Sequence, residues 1–137
     1  MGLILDSTVV IVAERRGESA EAFLRRAIHS TFDQEVALSA VGLTELVHGI
    51  YRADSPERLA RRKRFLDDLC AGMNIYPYTE ETAFLAGRIH GEQMANGVSI
   101  PYADLLIGAT ALSIGFSVLT SNARHFRLIP GLNVVPF

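Results

Sequence analysis

Three acidic residues are placed where a parallel sheet would bring them together. Asp6 follows the apolar run GLIL, Glu45 lies early in a predicted helix after the run EVALS, and Asp104 is in the first turn of the predicted helix that precedes the run FSVLT. Carboxylates held close together repel each other and raise each other's pKa unless a cation compensates them. Oxygen ligands that leave room for water and a phosphate are typical of Mg²⁺ or Mn²⁺ sites. We therefore expect Asp6, Glu45 and Asp104 to form a metal site.

Two polar residues follow the run FSVLT, at the same predicted edge of the sheet. Thr120 and Asn122 could orient a metal-bound water or a phosphate. A divalent ion there can generate a hydroxide nucleophile and neutralise the charge that develops on a phosphodiester. The five predicted catalytic residues are Asp6, Glu45, Asp104, Thr120 and Asn122.

Each acid also has a simpler explanation that its position alone leaves open. Asp6 could cap the following helix, Glu45 lies off the apolar stripe of its helix and could be solvated, and Asp104 could be stabilised by the helix dipole. His125 could contact substrate, act as a weak base or be structural. His48 forms an E-x-x-H pair with Glu45, but a di-iron site needs a second such pair, and the sequence has none.

The elements that must position these residues alternate between strand and helix. Apolar runs predict strands at 2–5, 35–39, 73–78, 116–120 and 133–137, separated by helical patterns. The third run is weakened by Pro77. Ser55-Pro56-Glu57 is a strong helix start. In the helix at about 41–53, the predicted core stripe is Leu43, Leu46, Val47 and Ile50. The expected fold is α/β: a four- to five-stranded parallel sheet with helices on both faces.

Length and composition are those of one globular domain, residues 1–137. The least charged region contains Asp104, Pro101 and several hydroxyl residues, so a buried helix and strand explain it better than a membrane span. The segment MGLILDST has no secretory signal pattern, and the single cysteine, Cys70, fits a reducing compartment. We therefore expect a cytoplasmic protein.

The net charge of −2 does not indicate nucleic-acid binding, but the basic residues are clustered. The run RLARRKRF at 58–65 holds five of them and could track phosphates despite the acidic total. The alternative is an ordinary solvated helix face.

Three segments together resemble the PIN domain, specifically the VapC-type toxins: LILDSTVVIVAE, LSAVGLTELVHGIYRA and IPYADLLIGATALSIGFSVLTSNARHFRLIPGLNV. The resemblance runs essentially from end to end. It implies a metal-dependent endoribonuclease that is inhibited by a cognate antitoxin and is usually a homodimer. It also implies that Asp6, Glu45 and Asp104 are the metal-binding acids and that Thr120 and Asn122 are the polar residues after the fourth strand. By analogy, the antitoxin would occupy an apolar groove around residues 7–14 and 41–69.

The sequence departs from the family pattern at two places. Family members often read D-T-N at the first acid, whereas this chain reads Asp6-Ser7-Thr8. Many members also carry a fourth acid where this chain has His125. The loss of that acid favours one ion over two. It also supports an alternative function, a catalytically weakened module that acts mainly by binding its antitoxin or RNA.

Overall fold

The computed structural model describes residues 1–32 and 34–137 and confirms the parallel α/β fold. Within these ranges there are five strands: β1 (Gly2–Leu5), β2 (Glu35–Ser39), β3 (Ile75–Tyr76), β4 (Ser117–Thr120) and β5 (Val134–Pro136). Seven helices lie between them: α1 (Ser7–Arg15), α2 (Ala20–Ser30), α3 (Ala40–Tyr51), α4 (Pro56–Ala71), α5 (Glu80–Ala95), α6 (Tyr102–Ser113) and α7 (Ala123–Phe126). None of these helices is both long and apolar enough to cross a membrane.

The strand order places a topological switch beside the first acid. All pairings are parallel, and the order across the sheet is β3-β2-β1-β4-β5. The chain builds outward from β1 to β3 and then returns to pair β4 on the other side of β1. Ligands of such sheets bind outside the carboxyl ends of the strands at this reversal. In this protein those ends are Leu5 and Thr120.

The sheet separates two cores, because successive side chains of a strand point to opposite faces. Leu3 and Leu5 pack into a core formed with α1, α2, α3 and α4. Ile4 points the other way, into a core built mainly from α5, α6 and α7. Helices therefore cover both faces, as the uniformly apolar strands predicted.

Local sequence signals account for several helix starts. The Ser55 hydroxyl accepts a hydrogen bond from the Arg58 backbone N–H at 3.1 Å, and Pro56 opens α4. Ser39 caps α3 in the same way, through the Gly42 N–H at 2.9 Å. Such caps satisfy backbone donors that the helix itself leaves unpaired.

Two predicted features are corrected. The strand predicted over 73–78 is only Ile75–Tyr76, because Pro77 has no N–H to continue the ladder. In the predicted core stripe of α3, Leu46 and Ile50 are buried, but Val47 is 39% exposed. The buried face of α3 therefore includes fewer residues than its apolar spacing predicts.

Candidate active site

Asp6 lies at the end of β1 and is held by two hydroxyl groups. It occupies the N-cap position of α1, but its side chain makes no capping hydrogen bond. Instead, its Oδ2 atom accepts from Thr8 Oγ1 at 2.7 Å and from Thr120 Oγ1 at 2.8 Å. The backbone N–H of Asp6 donates to the Leu119 carbonyl, and the residue is 1% exposed. The carboxylate is thus oriented across the β1–β4 reversal and does not serve as a helix cap.

Glu45 reaches the same edge from α3. Ser7 donates its hydroxyl hydrogen to Glu45 Oε1 at 3.0 Å, linking the start of α1 to the carboxylate. Burial raises the pKa of Glu45 above its usual range, and the Ser7 hydrogen bond opposes that rise. The negative charges of Asp6 and Asp104 raise this pKa further. A side chain that responds to both acids is not simply a solvated helix residue.

Asp104 is in the first turn of α6 and contacts the short helix α7. Its Oδ2 atom lies 2.8 Å from His125 Nδ1. Burial raises the pKa of Asp104, the hydrogen bond from His125 lowers it, and the charge of Asp6 raises it again. His125 therefore compensates Asp104 only partly.

Asn122 joins the site through His125 and Thr120. Its side-chain nitrogen lies 2.9 Å from His125 Nδ1, and its backbone N–H donates to Thr120 Oγ1 at 2.8 Å. A ring nitrogen carries either one proton or one lone pair. With the proton on Nδ1, His125 donates to Asp104, and the Asn122 amide lies beside that bond. Hydrogen bonds thus connect the Asn122 backbone N–H through Thr120 to Asp6, while His125 holds Asp104 and contacts the Asn122 amide.

Each of the three acids keeps one oxygen without a hydrogen bond. Within the described residues, the hydrogen bonds go to Oδ2 of Asp6, Oε1 of Glu45 and Oδ2 of Asp104. In the same part of the chain, every fully buried side-chain oxygen and nitrogen has a partner, so the second carboxylate oxygens are not completely buried. No Lys or Arg within residues 1–32 and 34–137 forms an ion pair with these acids.

The donor chemistry suits a hard divalent cation, although the side chains are not gathered around a common point. Across the described ranges, no three His, Cys, Asp or Glu side chains are placed as ready ligands of one ion. The mutual effects on pKa nevertheless connect Asp6, Glu45 and Asp104 electrostatically. Three partly anchored carboxylates, each with an oxygen that accepts no hydrogen bond within the described residues, supply the oxygen-only donor chemistry that Mg²⁺ and Mn²⁺ prefer.

Two residues outside the predicted catalytic set also contribute to the site. Thr8 and Ser7 follow Asp6 directly, and their hydroxyls bind Asp6 and Glu45 respectively. Hydroxyl residues next to an acid at a strand end are a weak signal, since the same pattern serves ordinary helix caps. Here both hydroxyls hold carboxylates and cap no helix.

Comparison with known proteins gives the same fold over the whole chain. The PIN domain family profile matches residues 3–132. Ribonuclease VapC of Rickettsia bellii is 30% identical over 135 residues, covering 98% of this chain and 96% of that protein. The tRNA(fMet)-specific endonuclease VapC of Salmonella typhimurium is 31% identical over 100 residues, covering 72% and 73% of the two chains.

Solved structures agree at lower sequence identity. The promoter-DNA-bound VapBC2 complex of Rickettsia felis contains a chain with a TM-score of 0.85, 21% identity and coverage of 100% and 99%. The DNA-bound VapBC complex of Salmonella typhimurium contains a chain with a TM-score of 0.83 and 23% identity, and the match covers 99% of this chain and 98% of that chain. Sequence identities this low show a shared fold. Family membership is shown by the family profile and by the relatives of higher identity. The chain belongs to the PIN domain family and, within it, to the VapC group.

Proposed function

We propose that this protein is a metal-dependent endoribonuclease that hydrolyses RNA phosphodiester bonds and acts as the toxin of a toxin–antitoxin pair. The observation that carries the proposal is the set of three carboxylates at the β1–β4 reversal, each with a free oxygen and none paired with Lys or Arg in the described part of the chain. The names of the relatives, ribonuclease VapC and tRNA(fMet)-specific endonuclease VapC, support the same reaction class.

Each residue has a distinct role in this proposal. Asp6, Glu45 and Asp104 hold the ion. Thr120 fixes the orientation of Asp6, and Asn122, whose backbone N–H donates to Thr120, orients a bound water or a phosphate at the same edge. When bound, Mg²⁺ or Mn²⁺ supplies an activated water and neutralises charge on the phosphodiester.

The direct test compares the wild-type protein with Asp104→Asn on structured RNA, in Mg²⁺ and in EDTA. We expect cleavage only by the wild type with Mg²⁺. Asp68→Asn is the matched control, because it removes the same charge from an exposed position on α4. Equal cleavage by wild type and Asp104→Asn would contradict the assignment. A wild type that gives no heat of Mn²⁺ binding in calorimetry and does not cleave RNA would favour the weakened binding module.

A groove beside the acids supports binding of an antitoxin. A cavity of about 400 Å³ lies between α1, α3 and α4, where the sequence predicted it. Apolar side chains including Val10, Leu46 and Phe65 line it, and Ser7 and Glu45 form one end. The groove is not purely apolar as predicted, because Arg15, Arg52 and Arg62 also line it.

A helical partner with apolar anchors fits this shape, and several solved relatives are VapBC toxin–antitoxin complexes. Coexpression with the adjacent gene tests the pairing, which predicts a stable complex and loss of RNA cleavage. The homodimer remains a prediction that size measurement of the purified protein would test.

A further inference from the structure

The groove adjoins a second cavity, and all the residues that line it in the described part of the chain are charged. This cavity, of about 330 Å³, is bordered by Glu14 and Arg15 of α1 and by Arg58, Arg61 and Arg62 of α4. We call it the arginine cavity. Four arginines thus face one glutamate in a protein whose net charge is −2. Three arginines of the basic run border this cavity, and Arg62 is the least exposed of them.

Glu14 forms ion pairs with two of the arginines. Its carboxylate, 12% exposed, lies 3.6 Å from Arg61 Nε and 4.0 Å from Arg62 Nε. Arg62 Nη1 also donates to the Gly49 carbonyl at 2.8 Å, which ties that guanidinium to the end of α3. Both Nη atoms of Arg61 have no hydrogen-bond partner within the described residues, so they are available to an anion.

Arg58 is also only weakly engaged. Its Nη1 atom is 3.4 Å from Asp54 Oδ2 in an exposed i,i+4 pair. Pairs of this kind are screened by water and exchange readily for another anion. The cavity therefore holds one anchored guanidinium, that of Arg62, and more exposed ones around it.

The position of the arginine cavity relates it to the acids. It shares Glu14, Arg15 and Arg62 with the groove, whose other end is formed by Ser7 and Glu45. Ser7 and Arg15 are the first and last residues of α1, a separation of about 12 Å along the helix axis. A nucleic-acid strand that crosses the carboxylate edge could therefore extend along the groove toward these arginines, since the groove and the cavity share three lining residues.

We propose that the arginine cavity binds the phosphate backbone of the RNA strand next to the cleavage site. The identity of the ligand as RNA rests on the proposed function, whereas the binding of phosphate by guanidinium groups does not. Guanidinium groups bind phosphate oxygens through paired N–H donors. Among residues 1–32 and 34–137, no apolar side chain lines the arginine cavity. A docked peptide would use apolar anchors, which the groove offers and this cavity does not.

The test measures binding of RNA and not its cleavage. A fluorescent mixed-sequence single-stranded RNA of roughly 20 nucleotides, longer than a typical single-strand site, is titrated in EDTA over a series of KCl concentrations. The variant is Arg58→Gln/Arg61→Gln. The matched control is Lys63→Gln/Arg64→Gln, which removes two positive charges from exposed positions of α4 that do not line the cavity. Thermal unfolding of each variant verifies folding.

We expect the cavity variant to bind about tenfold more weakly at low salt. Its slope of log affinity against log salt should be shallower by about 1.4, the loss of two phosphate contacts to a single strand. Arg58→Lys/Arg61→Lys should keep the wild-type slope, because the charge remains. The proposal is overturned if the cavity variant and the control lose affinity equally, or if only binding of an acidic peptide responds to the cavity variant. Failure to cleave RNA in Mg²⁺ would contradict the proposed function without affecting this result.

Discussion

His125 Nδ1 lies 2.8 Å from Asp104 Oδ2, joining α7 to the first turn of α6. In the family that the sequence resembles, this position often carries a fourth acid. The imidazole adds no negative charge and leaves Asp104 Oδ1 without a hydrogen bond in the described residues. The site therefore combines three acids with a histidine that holds one of them in place.

The first prediction concerns this histidine. His125→Leu removes the hydrogen bond to Asp104, so the carboxylate loses its fixed orientation. We expect affinity for Mn²⁺, measured by calorimetry, to fall about tenfold, as is common when a neighbour that orients a metal ligand is removed. His125→Asn keeps a side-chain donor close to the place of Nδ1 and should recover most of the loss. Unchanged Mn²⁺ affinity in His125→Leu would show that Asp104 does not depend on its partner.

The second prediction concerns Glu45 in the metal-free protein. A carboxyl group whose pKa is raised on folding destabilises the folded state once the pH exceeds that pKa, and its cost disappears when it is protonated. Glu45→Gln in EDTA should therefore raise Tm by a few degrees at neutral pH. The difference from wild type should shrink to zero as the pH falls through the raised pKa.

Glu35 is a control of opposite sign. Hydrogen bonds from Tyr76 and Asn74 lower its pKa, so its carboxylate favours the folded state at neutral pH. Glu35→Gln should lower Tm slightly at neutral pH, and this effect should also vanish in acid. A lower Tm for Glu45→Gln at neutral pH would contradict the raised pKa of Glu45, because the ionised carboxylate would then stabilise the folded state.

The edge of the sheet at which Asp6 and Thr120 lie could be predicted, because strand ends can be inferred from short apolar runs. Asp6 follows β1, and the helix that precedes β4 must begin near the carboxyl edge, which brings Asp104 there. The hydroxyl partners could not be inferred in the same way. Thr120 and Asp6 are separated by 114 positions, and their contact depends on β1 and β4 being neighbours in register.

The exposed fraction of each side chain on α3 could not be predicted from the apolar pattern either. Val47 belongs to the apolar stripe by spacing, yet it is 39% exposed because the buried strip of α3 is centred on Leu46 and Ile50. Periodicity gives the direction of a helix face but not its width. The width depends on how closely neighbouring elements pack, which the sequence of one helix does not contain.

The third prediction concerns Thr120, which is fully buried. Its hydroxyl donates to Asp6 and accepts from the Asn122 N–H, both at 2.8 Å. Thr120→Val keeps the shape but removes both bonds, so we expect a loss of about 1–3 kcal/mol in the free energy of unfolding, measured by urea denaturation. Thr120→Ser retains the hydroxyl and should lose less, chiefly through the missing methyl group. Equal losses in the two variants would assign the stability to packing and not to the hydroxyl.

The fourth prediction concerns the packing of the helix that carries Asp104. A methyl group on Gly108 of α6 would overlap Ile129 Cδ1 and lie 3.2 Å from Leu132 Cδ2. Gly108→Ala should therefore lower the free energy of unfolding by about 1–2 kcal/mol, because overpacking exceeds the gain in helix propensity.

Gly87 provides the comparison, since it is an exposed glycine of α5 with no atom within 4 Å of an added methyl group. Gly87→Ala should stabilise the protein by about 0.5–1 kcal/mol, through helix propensity alone. Chemical denaturation of the two variants measures the difference. Gly108→Val should cost more than Gly108→Ala and should also weaken Mn²⁺ binding, because α6 must move and Asp104 moves with it. If Gly108→Ala were as stabilising as Gly87→Ala, close packing against Ile129 would not be what sets the position of α6.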